Sequence, residues 1–498
     1  MKKIVFLFLT LILISCQPSD QKNEKINGVM IDCSRLLEKQ EYYYKLIDFM
    51  ADWNMNTLLL HFSDDHGIAI SLSGFEKLAM PHAFTPQDIK KLIAHGKKKG
   101  IEIIPELEVF GHTRYITDHP DYKHLYFGDK SNKISFNAID PLNPETISLM
   151  TAMIKEVASL FPSEYLHLGC DEVNLQGLNE RTGLDETAVW VDYVNKMIDI
   201  ARNNGKTPMI WSDHIQKNEE IAKLLNKDIV LMEWNYDPDY MPTKLPTLMD
   251  MGYKNIIMCP SVSCWRSRII PSKPQLKNVD GHAAAVRNGN ADDLINTVWL
   301  PMRYLQQSMW YGMAYSAFLV NSNKPMNFTK FHKLFSLKTF GLPLSDEMNS
   351  FFNDWTELHL DRRIYSAIAN NNYDILNDPE RILELKKVKS LSANVINNRL
   401  DLVPKKNPDV LTSMYLSAEI MYVLSEGLLL IAEKDGSPIR ADKWETTIQC
   451  VITRAETEWD QGRFPDDPAK YKAKFTNQEN SHLLIVLRKL RDHDLVKN

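Results

Sequence analysis

The amino-acid sequence predicts a (β/α)8 barrel followed by an all-α C-terminal domain, and three observations carry that prediction. From Asn27 to about Asn321, apolar strand-like runs alternate with amphipathic helical stretches. Beyond about Pro343, apolar residues recur at helical spacing with no convincing strand between them. The first strand is not followed by the glycine-rich turn that would favour an open, doubly wound sheet.

In order, the strands are read at Gly28–Cys33, Thr57–His61, Glu102–Leu107, Tyr165–Gly169, Thr207–Trp211, Ile229–Glu233, Asn255–Cys259 and Leu294–Trp299. Amphipathic helices lie between them, among them Glu41–Trp53, Pro86–Lys99, Pro144–Leu160 and Thr187–Asn203. Eight strand–helix units over roughly 300 residues is the count of a closed parallel barrel. The barrel is assigned to residues 27–340 and the helical domain to residues 341–498. Helices in the latter are read at Glu347–Leu358, Arg381–Leu402, Val410–Ala432, Trp444–Trp459 and Ser481–Leu495.

Ahead of the barrel, Lys2 and Lys3 precede an apolar run from Ile4 to Ile14 that is too short to span a bilayer comfortably. The stretch Leu13-Ile14-Ser15-Cys16 resembles a bacterial lipobox, in which Cys16 becomes the lipidated first residue after cleavage. Residues 1–16 are therefore expected to be a lipoprotein signal peptide and residues 17–26 a polar tether. The protein is expected to be exported and held at a bacterial cell envelope, periplasmic or surface-facing, by its lipid anchor alone.

Composition narrows the function. With 58 Lys+Arg against 64 Asp+Glu, the net charge of −6 provides no basic footprint for nucleic acid. Six cysteines without CxxC spacing supply neither a disulfide framework nor a zinc site. No metal or other cofactor is expected. Ten Trp and 19 Tyr set beside scattered carboxylates suit a sugar better than a phosphate.

In a parallel barrel the strand C-termini and the loops after them build the active site. Here those ends read Asp32-Cys33-Ser34-Arg35, His61 through Gly67, Pro105 through His112, and His167-Leu168-Gly169-Cys170-Asp171-Glu172. Trp211, Trp234 and Trp299 close strands five, six and eight, and Trp265 follows strand seven. Acids, histidines and one guanidinium thus converge on one rim with several indoles, a composition that fits a glycan pocket. His61, Asp64, Asp65 and His66 read as a structural network under the substrate loop rather than a metal site.

His167 through Glu172 resembles the His-x-Gly-Gly-Asp-Glu signature of glycoside hydrolase family 20, the β-N-acetylhexosaminidases. Three further segments fall in that family's order: Asp32 with Arg35, Asn56 through Gly67, and Pro105 through His112. The resemblance covers about residues 27–300 and leaves out the helical tail. It implies a retaining exo-glycosidase that removes terminal β-linked N-acetylhexosamine, the substrate's own 2-acetamido oxygen attacking the anomeric carbon. Glu172 would be the general acid/base, its pKa raised by the pocket. Asp171 would hold the acetamido N–H and stabilise the charged intermediate. Arg35 would bind hydroxyls of the terminal sugar, oriented by Asp32. His112 and His167 would sit near the acid, and Trp211, Trp234 and Trp299 would box the N-acetyl group and sugar face.

The sequence departs from the family pattern at Cys170, where a second Gly is usual, at Glu108 for Asp, and at Phe110 for Pro. Ile68 follows Gly67 where Trp is usual, and Leu300-Pro301 follows Trp299 in place of an acidic residue. No Tyr clearly matches the one that usually helps to hold the acetamido oxygen. Two rivals follow from these changes: a glycan-binding lipoprotein on an inactive barrel, and a hydrolase of the same fold acting on a different or modified amino sugar.

Overall fold

Eight parallel strands close on themselves: β1 (Asn27–Asp32), β2 (Thr57–His61), β3 (Glu102–Glu106), β4 (Tyr165–His167), β5 (Thr207–Trp211), β6 (Val230–Trp234), β7 (Asn255–Cys259) and β8 (Asp293–Val298). Each pairs with its neighbour in sequence order, and β8 returns to β1 with Asn27 opposite Leu294 and Ile31 opposite Val298. This computed structural model describes residues 25–128, 138–265, 269–291, 293–322, 327–398, 402–433, 438–464 and 482–493. The lipobox and Cys16 lie outside the described residues.

The strands read as short apolar runs because both faces are covered, by side chains filling the barrel and by helices outside it. Leu58, Leu59 and Leu60 are fully buried, as are Leu231, Met232 and Met258. The helices begin on local signals. Thr85 and Asp88 form a reciprocal capping box ahead of Pro86–Lys99, and Asn143 caps Pro144–Leu160. Both helices occupy the ranges expected from sequence.

Strand four is the main departure. It is expected to reach Gly169 but stops at His167, because Gly169, Cys170 and Glu172 all adopt left-handed backbone, with φ of +67°, +70° and +49°. A second addition lies in the loop after β2, where Ser63–Asp64, Gly67–Ile70 and Ala79–Phe84 form a small three-stranded sheet. The first two of these, of two and four residues, are too short for an alternating pattern to show.

After β8, helix Trp310–Val320 is buried on almost every side, as expected of a helix apolar all round. The helices that follow cover it: Tyr311 packs on Phe331, Phe335 and Trp355 and hydrogen-bonds His332 at 2.8 Å. Among them Pro408–Glu433 is long and apolar enough to cross a membrane, yet 89% of its most apolar stretch is buried inside the protein. The indole N–H groups of Trp355 and Trp444 donate to its carbonyls at Met414 and Val423.

Candidate active site

The loops after β1, β2, β3 and β4 bring a continuous ionic network to one end of the barrel. Arg35 donates to Asp32 at 2.8 Å and to Asp64 at 2.6 Å. Asp32 also accepts the backbone N–H of Leu300, which ties the loop after β8 to β1. His61 spans Asp64 and Glu106, at 3.3 and 2.6 Å. Glu106 has no exposed surface and also meets His167 Nδ1 at 3.1 Å and the Trp211 indole N–H at 2.9 Å.

Charge balance follows from these contacts. Burial works against ionisation of Glu106 and Asp64, but their cationic neighbours win. His61 and His167 hold Glu106 below the usual carboxylate range. Arg35, His112, His61 and His66 do the same for Asp64. Glu106 and Asp64 in turn raise His61 to about 10 against its own burial.

His112 connects this network to the two adjacent acids. Its Nδ1 lies 3.0 Å from Asp65, and its Nε2 lies 3.7 Å from Asp171 and 3.4 Å from Glu172. Burial opposes its protonation, but Asp64, Asp171 and Asp65 raise it well above the usual histidine range. Adjacent residues on a regular strand would point to opposite faces. The left-handed backbone at residues 169, 170 and 172 removes that constraint and lets both acids reach one imidazole.

Close packing fixes that turn. A Cβ on Gly169 would lie 1.9 Å from a Glu108 carboxylate oxygen, and one on Gly111 would lie 2.2 Å from the Asp171 carbonyl. Cys170 takes the family's glycine position with a left-handed φ, its N–H donating to Glu108 at 3.1 Å and its buried side chain turned to the Leu168 carbonyl. Glu172 and Val173 donate backbone N–H groups to Asp213 and His214, at 3.4 and 2.9 Å. Burial, followed by the neighbouring charges of Asp171 and Glu106, pushes the Glu108 carboxyl well above the usual carboxylate range.

The acids themselves correct one expectation. Glu172 is expected to have a raised pKa, but it lies below the ordinary range. His112 beside it favours its charged form, outweighing partial burial, with Lys217 and Arg35 adding to the effect. Asp171 is raised instead, to about 7, by burial first and then by Glu172 and Asp213, while His112 opposes the rise. Exposure adds to the difference: the Glu172 side chain is 43% exposed and that of Asp171 only 15%.

Strand ends from β5, β6 and β8 build the aromatic wall. Trp211 and Trp299 lie 6.0 Å apart between ring centres, and Trp299 carries the Arg35 guanidinium over its face at 5.2 Å. The Trp299 N–H donates to Tyr236 at 2.7 Å, and Tyr236 packs against both Trp234 and Trp265. All three expected tryptophans therefore belong to one aromatic cluster. Trp234 is half-buried, and Trp265 is the most exposed member. His167 has no exposed surface and packs under Trp211, so it lies beneath the floor of the pocket.

Sequence reasoning assigns no role to Glu106, Asp213 or His214, and it notes Tyr236 only as a residue just past strand six that could reach the rim. The rule that flags Trp211 and Trp234 at strand ends also reaches Asp213 and Tyr236, each two residues further on. Among the described residues, three groups bring possible metal-ligand atoms within 4.8 Å of one another: His61, Glu106 and Glu108; Asp64, Asp65 and His112; and His112, Asp171 and Glu172. Each already contains a histidine held protonated by its carboxylates.

The catalytic-domain model of glycosyl hydrolase family 20 matches residues 26–280. The chain belongs to that family. Its fold is a (β/α)8 barrel. Among curated relatives it is 26% identical over 253 residues to the mouse beta-hexosaminidase subunit beta, covering 47% of this chain and 46% of that protein. To the human subunit beta it is 27% identical over 251 residues, covering 47% and 44%. The chain thus spans less than half the length of these relatives. Its fold resembles that of a Vibrio harveyi family 20 exo-β-N-acetylglucosaminidase solved with N-acetylglucosamine, with TM-score 0.51, 19% identity, and 62% and 56% of the two chains covered. It also resembles a Flavobacterium johnsoniae chitobiase, with TM-score 0.50, 17% identity, and 85% and 74% covered.

Proposed function

We propose that the enzyme is a retaining exo-glycosidase that releases terminal β-linked N-acetylhexosamine, the substrate's 2-acetamido oxygen serving as nucleophile. The observation that carries this reading is the meeting of Asp171 and Glu172 at one nitrogen of His112. A conventional retaining enzyme places its two carboxyl groups on either side of the scissile bond, about 5 Å apart. Asp171 and Glu172 instead come from adjacent positions of one loop and meet the same imidazole nitrogen. They can serve a reaction in which one protonates the leaving oxygen and the other steadies an amide that attacks from within the substrate.

In this mechanism Arg35 donates to ring hydroxyls, held in place by Asp32 and Asp64. The acetamido N–H donates to Asp171 and favours its ionised form. The bound sugar covers Glu172, removes water and favours its protonated form. One proton therefore passes from Asp171 to Glu172 on binding, and the acid is armed only in the complex. Glu172 gives that proton to the glycosidic oxygen as the acetamido oxygen bonds to the anomeric carbon. It then takes a proton from the water that opens the cyclic intermediate.

The test combines stereochemistry with inhibition. Proton NMR of early turnover should show the β-anomer of the released sugar, and an N-acetyl-thiazoline sugar should inhibit competitively. First release of the α-anomer, or indifference to the thiazoline, would refute substrate assistance. Export and lipidation belong to the same proposal, supported by the lipobox at Leu13–Cys16. Labelled palmitate should enter the wild type in a bacterial host, and equal labelling of Cys16→Ser would rule the anchor out.

A further inference from the structure

The stretch Gly462–Phe464, which ends helix Pro438–Gly462 and lies far outside the matched catalytic domain, touches three rim loops. Arg463 is buried and forms a two-pronged pair with buried Glu38, at 2.9 and 3.0 Å, in the loop after β1. Its remaining nitrogen donates to the Tyr304 carbonyl at 2.9 Å in the loop after β8, and its guanidinium lies 3.9 Å over the Trp459 ring. Gln306 from the β8 loop donates to Glu38 and to the Gly462 carbonyl, which also accepts the Lys39 N–H. Phe464 stacks on His82 with centroids 4.0 Å apart, and His82 belongs to the small sheet after β2 that also contains Asp64.

β8, β1 and β2 are consecutive around the barrel, and β8 stands across it from β4. The clamped arc carries Trp299, Arg35 and Asp64, while the opposite arc carries Asp171 and Glu172. Glu38 lies three residues beyond Arg35 on the same short loop. We infer that Arg463 is a positioning residue: through Glu38, Tyr304 and Gln306 it sets the distance of the Arg35–Trp299 wall from the two acids. The helical region is thereby a working part of the sugar site. The arginine fork suits this role because one planar group satisfies two carboxylate oxygens and a carbonyl together. The inference rests on the proposed reaction for its kinetic consequence but not for its structural one.

Two variants test it in the full-length protein. Arg463→Lys keeps the charge and loses the fork. The double variant Glu38→Gln/Arg463→Met removes the pair without stranding a buried charge. With circular dichroism showing a native fold, hydrogen–deuterium exchange should rise in peptides covering residues 33–39 and 300–307 and stay unchanged in the β4–β6 peptides. On any β-hexosaminide that the wild type cleaves, kcat/KM should fall about tenfold to a hundredfold, chiefly through KM, with Arg463→Lys intermediate. Unchanged exchange in both loops, exchange raised equally throughout the barrel, or an unchanged KM in the folded double variant would overturn the clamp. A wild type inert toward every β-hexosaminide would sink the proposed reaction alone, leaving the exchange pattern to decide the clamp.

Discussion

The two sides of the site are built on different principles. From β1 to β4, nearly every polar side chain is tied to a charged partner, and Asp32, His61, Asp64 and Glu106 are all but inaccessible. From β5 to β8, the wall consists of indoles and a phenol joined mainly by ring contacts, and exposure grows outward from Trp211 to Trp265. A buried ionic network is costly to alter, because removing one member strands another in a low-dielectric setting. An aromatic wall tolerates exchange of one flat apolar surface for another. The ionic side is therefore suited to the chemistry common to the family, and the aromatic side to the choice of sugar.

If that division holds, the largest effect comes from the ionic side. Glu172→Gln keeps the shape of the acid and removes its proton, and kcat should fall by about 10²–10⁴-fold, less with an activated leaving group. Turnover within a factor of two of wild type on an unactivated substrate would refute the assignment of the acid.

The pH profile sharpens the comparison, because its limbs arise only on the ionic side. With Asp171 raised to about 7 and Glu172 below the ordinary range, the free pair holds one proton between those limits. In the proposed reaction that proton is the one transferred to the leaving oxygen. As pH rises through about 7 it is lost and kcat/KM falls, approaching tenfold per pH unit. Asp171→Asn leaves Glu172 as the only binding site for the proton, and Glu172 is the weaker of the two. The falling limb should then move to lower pH, and a limb that stays at its wild-type position would show that Asp171 does not hold the proton.

How much of this was legible in the sequence depends on whether a feature is local. Strand runs such as Thr57–His61 and the cap ahead of Pro86 are written in neighbouring residues, and the structure reproduces both ranges. The acids at 171 and 172 were legible because a strand end in a parallel barrel marks the active face. The inverted ionisation of that pair was not, since it depends on Glu108 and His112 from the loop after β3 and Asp213 from beyond β5. Nor was the Glu38–Arg463 pair, whose members are 425 residues apart and follow no shared periodicity.

The smallest effects belong to the aromatic side, and they depend on the length of the glycan. Trp234 is half-buried between Tyr236 and Trp265, so replacing it with Leu removes a flat surface without stranding a charge. KM should rise roughly tenfold on every substrate, since a ring contact contributes about 0.5–1.5 kcal/mol beyond its buried area. Trp265 is 37% exposed at the outer edge of the same cluster, where it would meet the sugar beyond the cleaved bond. Trp265→Ala should leave an aryl N-acetylhexosaminide almost unaffected and slow a trisaccharide about threefold to tenfold through KM. Equal losses on both substrates would move Trp265 into the pocket for the terminal sugar, and a large loss of kcat from either variant would end the division between a charged side for chemistry and an aromatic side for recognition.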